Sequence, residues 1–145
     1  MINLTAPINS LGYGVAGYNI YKELYKLHPS TALYPISNPE FVDEYIEAGL
    51  KNRGSITNAP SVRIWHQYDI HTHIGKTLHV GFPIFELTEF NEEEKLSMEH
   101  CDLIFVCSEW AKNIVIDQTK FSDGDVHVVP LGVDSEIFQP NLSRR

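Results

Sequence analysis

Short apolar runs alternate with helix-patterned stretches along this chain, and that alternation constrains its fold more than any other feature. Residues 2–8, 31–36, 62–66, 77–82, 102–107 and 126–130 each read as a strand. The run DLIFVC at 102–107 is apolar almost throughout, as expected of a strand covered on both faces. Between the strands, residues 15–28 carry Ile20, Tyr21, Leu24 and Leu27 at helical spacing, and Pro29 stops them. Asn38 and Pro39 offer a cap and a first-turn proline for a second helix, with Glu40 inside it and Phe41, Val42, Tyr45 and Ile46 on one face. Asn91 to Glu94 resembles a capping box opening a third helix to about His100. Ser108 caps a fourth, with Trp110, Ala111, Ile114 and Val115 turned inward.

The order βαβαβ-β-αβαβ predicts an α/β fold: a Rossmann-like parallel sheet with helices on both faces. Ligands of such sheets bind beyond the carboxyl ends of the strands. Here those ends are the loops at 9–14, 37–38, 66–75, 83–90 and 108–109.

Length and charge narrow the class. The chain has 145 residues, enough for one domain, and 43% of them are hydrophobic. Its formal net charge is −8, so it repels phosphate backbones and anionic lipid. No basic cluster offsets this, which argues against nucleic acid and membrane surfaces as partners. The N-terminus lacks the pattern of a secretory signal, and no apolar run is long enough for a membrane segment. The expected location is cytoplasmic. Cys101 and Cys107 then read as reduced core thiols, and the sequons at Asn3 and Asn141 carry no meaning.

Gly12-Tyr13-Gly14-Val15-Ala16-Gly17 spells G-x-G-x-x-G between a strand and a helix, a pattern that lets backbone N–H groups approach phosphate. A dinucleotide site would also need a carboxylate about 20 residues on, at the end of the second strand. Ser37-Asn38-Pro39 occupies that place. An NAD-binding domain is therefore the weakest of the readings left open; a structural turn, or a loop approaching a sugar diphosphate, fits better. The segment from His66 to His73 holds three histidines and an aspartate, but no further set at metal spacing follows. His71 and His73 read as polar loop residues, whereas His66 and Asp69 stand at a strand's carboxyl end, where they can bond a hydroxylated ligand.

Four stretches carry a family resemblance: APINSLGYGVAGYNIYKEL from Ala6, VRIWHQYD from Val62, HVGFPIFELTEF from His79, and DLIFVCSEWAKNIVI from Asp102, followed by VHVVPLGVDSEIFQP. Together they resemble the N-terminal domain of GT-B-fold glycosyltransferases of the large retaining family 4. The resemblance implies an acceptor-side domain over residues 1–140, with 141–145 beginning a linker to a C-terminal domain outside this chain. It implies transfer of a sugar from a nucleotide-sugar donor to a hydroxylated acceptor (glycan, lipid or protein), with no metal or other cofactor. It also implies little activity without the donor-binding half, supplied as a further domain or a partner chain. An unpaired domain face would leave homo-oligomerisation open.

On this resemblance, Gly12, Tyr13 and Gly14 approach the donor sugar or its phosphates, and His66, Gln67 and Asp69 point into the cleft. Ser108 and Glu109 contribute from the fourth helix, where a cap and a first-turn acid are the plainer roles. Glu86 is the catalytic candidate. It lies close to where many relatives carry a histidine, a departure from the family's pattern. A standalone binding module remains the alternative outside enzymology.

Overall fold

A computed structural model describes residues 1–54, 58–135 and 137–140. The elements are β1 (Asn3–Ala6), α1 (Gly12–Leu27), β2 (Ala32–Pro35), α2 (Glu44–Lys51), β3 (Ser61–Trp65), β4 (His79–Pro83), α3 (Glu92–Glu99), β5 (Leu103–Val106), α4 (Glu109–Gln118) and β6 (Val126–Val128). A 3-10 turn at Gln67–Asp69 follows β3. The strands form one sheet in the order β2-β1-β3-β4-β5-β6, and every neighbouring pair is parallel. The chain steps outward from β1 to β2, returns past β1 to β3, and then proceeds steadily to β6. The direction of winding therefore reverses between β1 and β3. The α/β, Rossmann-like architecture expected from the alternation is the one observed. The expected linker start at 141–145 lies outside the described residues.

Both faces of the sheet are packed, and β5 shows why its sequence is apolar at every position. Ile104 and Val106 join a core with Met98, Ala111 and Val115 of α3 and α4. Phe105 packs instead against the core of Leu4, Tyr21, Leu33, Ile46 and Phe82, which α1 and α2 cover. Successive side chains of a strand point to opposite faces, so a two-faced strand needs apolar residues in both registers. Gly81 of β4 is the narrow point: an added Cβ would lie 2.9 Å from Cys101 Sγ and 2.9 Å from Ile70 Cγ1.

Capping follows the sequence at two helices. Ser108 accepts from Ala111 N, and Asn91 and Glu94 form a reciprocal capping box. The second helix differs from expectation. It begins at Glu44 because Asp43, not Asn38, supplies the cap oxygen, accepting from Ile46 N at 2.9 Å. Residues 36–42 are non-helical, with Ile36 N bonded to Ala6 O and Glu40 N to Ile8 O. Ser37 takes a positive φ of 67° just after β2. Phe41 and Val42 are consequently exposed, and Glu40 stands outside any helix.

The first helix also begins earlier than expected, at Gly12, so the glycine motif forms its first turns. Trp110, expected inward, is 46% exposed. Among the described residues no helix is long and apolar enough to cross a membrane.

Candidate functional site

The carboxyl ends of β1, β3 and β4 frame a cleft of about 520 Å³. It sits where the strand order reverses, the position at which open parallel sheets bind ligands because the two flanking connections diverge to opposite faces. Gly12, Tyr13 and Ala16 of α1 form one wall, with His66 and Gln67 beyond β3. Ile84, Phe85, Glu86 and Leu87 beyond β4 form another, and Leu131 closes the rim.

The connection from β1 to α1 is short and folded onto itself. Asn9 Oδ1 accepts from Leu11 N at 3.0 Å, and Glu40 Oε2 accepts from Ser10 N at 2.9 Å. Gly14 is needed for this packing: a Cβ there would fall 2.1 Å from Asn9 Oδ1 and 2.4 Å from Asn9 O. Gly12 is different, since a Cβ there would meet nothing within 4 Å. No side chain caps α1 at Leu11, so the N–H groups of its first turn lack a capping acceptor.

Tyr13 ties the two walls together. Its hydroxyl donates to Ile84 O, and its ring lies 4.5 Å from that of His66 and 5.6 Å from that of Trp65. Burial pushes the phenol up to about 12, so it remains a donor across the working pH range. His66 in turn stacks on Tyr68, with centroids 5.3 Å apart and planes at 10°. Gln67 is buried, and its Nε2 donates to Glu94 Oε1 at 2.8 Å. The other oxygen of Glu94 accepts from Asn91 N, so the box that opens α3 also anchors the cleft wall.

Glu86 is exposed at the cleft. Its neighbour Phe85 packs edge-on against Phe90 at 4.9 Å and lies 6.0 Å from Trp110.

Of the residues singled out from sequence, the cleft brings together Gly12, Tyr13, His66, Gln67 and Glu86. Gly14, Asp69, Ser108 and Glu109 do not line it. Asp69 accepts instead from the buried Arg63, and Ser108 and Glu109 serve as cap and first-turn acid of α4. Sequence reasoning did not single out Ile84, Phe85, Leu87 or Leu131. Position alone, just past β4 and β6, was the available signal.

Two other arrangements were candidates for chemistry. Ser97 Oγ lies 3.1 Å from His71 Nδ1, and Asp69 Oδ1 lies 4.0 Å from the same nitrogen. A proton relay needs the two partners on opposite ring nitrogens. Ser97 is moreover buried and accepts from Ile70 N, so the trio is structural. Burial raises the thiols of Cys101, to about 12, and of Cys107, which keeps both protonated. Among the described residues, no group of three His, Cys, Asp or Glu side chains is placed to hold a metal ion.

Comparison of the chain with protein-family models, with curated proteins and with solved structures finds no match.

Proposed function

We propose that this chain is the acceptor-side half of a glycosyltransferase that takes its sugar from a nucleotide-sugar donor. The observation that carries the reading is the convergence of Gly12, Tyr13, His66, Gln67 and Glu86 on one cleft at the reversal of strand order. Aromatic and apolar walls suit the C–H face of a sugar ring. A carboxylate beside them suits its hydroxyls. In the reaction, the acceptor hydroxyl oxygen bonds to the anomeric carbon as the bond from that carbon to the diphosphate breaks. The electron pair leaves with the diphosphate. The hydroxyl proton goes to Glu86 or to the departing phosphate oxygen. Gly12 and Tyr13 line the cleft from the first turn of α1, and a helix start favours the negative charge of a diphosphate. Donor binding itself falls to a second domain or partner chain, so the chain alone turns over little.

The NAD reading gains one point and loses another. Glu40 lies outside the helix and its carboxylate reaches the loop before the glycines, but one of its oxygens accepts from Ser10 N. The open cleft runs from α1 toward β4, and no described residue from the end of β2 lines it. A non-catalytic interaction module is favoured by a different observation: Val129, Leu131, Val133, Ile137 and Phe138 are all exposed beyond β6.

Binding separates the sugar-transfer and NAD readings. Titration of the 15N-labelled protein with simple methyl glycosides, with NAD and with UDP- and GDP-sugars is followed by backbone amide shifts. Shifts at Tyr13, His66 and Glu86 on adding glycoside support the sugar-transfer reading. Saturable NAD binding at Gly12 and Ser10 without any response to glycosides overturns it.

A further inference from the structure

The cleft is lopsided in its chemistry. Among the described residues that line it, none is Lys or Arg, and Glu86 is the sole carboxylate. Gln67 Nε2 already donates to Glu94. The buried Arg63 is turned away, committed through Nε and Nη2 to Asp69. The remainder of the wall is the His66 ring, which is packed between Tyr13 and Tyr68, together with Gly12, Ala16 and the apolar or aromatic side chains of Tyr13, Ile84, Phe85, Leu87 and Leu131. The chain as a whole carries −8. The start of α1 supplies only about half an elementary charge of positive sign, less than an ionised carboxylate removes.

Resting on the sugar-transfer reading, we propose that the cleft selects acceptor rings that are uncharged or bear an ammonium group, and rejects rings bearing carboxylate, sulfate or phosphate. Glu86 is the specificity-determining residue. A neutral pyranose lays its C–H face on the aromatic wall and donates hydroxyls to Glu86. A uronate brings a second carboxylate beside it with no lysine or arginine among the described residues lining the cleft to compensate, and two like charges a few ångströms apart repel.

Both tryptophans of the chain flank the cleft, Trp65 beside Tyr13 and His66 and Trp110 beside Phe85, so intrinsic fluorescence reports on it together with the amide shifts. The probes are matched pairs, methyl glucoside with methyl glucuronide and methyl galactoside with methyl galacturonide, titrated at low and at high salt. The expected result is neutral-ring binding about fivefold tighter than uronate at low salt, with the gap narrowing as salt is added. Glu86→Gln removes the gap and Glu86→Lys reverses it. Glu86 is exposed, so both variants keep the fold. Uronates binding as tightly as neutral rings, or a gap that survives Glu86→Lys, overturns the selectivity and leaves the sugar-transfer reading standing. Failure of every glycoside, neutral or charged, to shift the cleft signals overturns both.

Discussion

Arg63 and Asp69 are joined twice: Arg63 Nε donates to the backbone oxygen of Asp69 at 2.8 Å, and Nη2 donates to its carboxylate at 2.7 Å. Arg63 lies within β3 and Asp69 ends the turn beyond it, so the pair folds the chain back on itself. His66 and Gln67 are among the five residues, 64–68, held inside that clasp.

The two partners are unequal, which gives an asymmetric prediction. The Arg63 side chain is 8% exposed and the Asp69 side chain 38%. Removing Asp69 strands a buried guanidinium, whereas removing Arg63 leaves a carboxylate that reaches water. Asp69→Ala is expected to cost about 3 kcal/mol, and Arg63→Met clearly less. Urea denaturation of both variants measures this, and equal costs would count against the clasp.

Tyr13→Phe deletes the one hydroxyl that joins α1 to Ile84 O while keeping the ring contacts with His66 and Trp65. The expected loss of stability is about 1 kcal/mol. The cleft walls should also loosen, so ligand affinity falls more than that loss of stability alone accounts for. Calorimetry beside thermal denaturation separates the two effects.

The two leading glycines of the motif should behave in opposite ways. Gly14→Ala forces a Cβ into Asn9 and is expected to cost about 1–3 kcal/mol. Gly12→Ala meets open space in a helical first turn and is expected to leave stability unchanged or raise it by up to about 1 kcal/mol. If the backbone at Gly12 faces a ligand, Gly12→Ala weakens binding while the protein stays fully folded. A Gly12→Ala variant with unaltered affinity for donor and acceptor would remove that residue from the site.

His79 sets an acid limit. Its side chain is buried at the start of β4, with its Nε2 4.0 Å from Cys101 Sγ and its ring stacked 4.6 Å from His73. Burial first, and the neighbouring His73 second, push its pKa from 6.5 down to about 4, against the opposing pull of Asp102. The unfolded chain therefore takes up a proton that the folded one refuses. The stability owed to neutral His79 is complete above about pH 6.5, declines as pH falls toward 4, and then levels off, for a total of about 3 kcal/mol. Chemical denaturation across that range, compared with His79→Gln, shows whether the slope disappears with the imidazole.

The sheet was legible in the sequence because the two-faced apolar run of β5 and the caps at Asn91 and Ser108 are local signals, and local signals survive folding. The start of α2 was not, because Asn38 and Asp43 are both good caps. The choice fell to contacts made across the chain, Ile36 N with Ala6 O and Glu40 N with Ile8 O, which no window of sequence contains. The site divides along the same line. Gly12, Tyr13, His66, Gln67 and Glu86 were legible as strand-end residues. That Asp69 would turn toward Arg63 depended on the 3-10 turn that folds the chain back after β3, and the ring contact of Trp110 with Phe85 joins residues well separated in sequence; neither carries a local mark.

Glu94 has one carboxylate and two engagements: Oε2 accepts from Asn91 N at the start of α3, and Oε1 accepts from Gln67 at the wall of the cleft. Fraying of that first turn and loss of the wall's anchor thus share a single hinge. Amide hydrogens at Gln67 and at the head of α3 should exchange with solvent as one cooperative unit, slowing together when the cleft is filled.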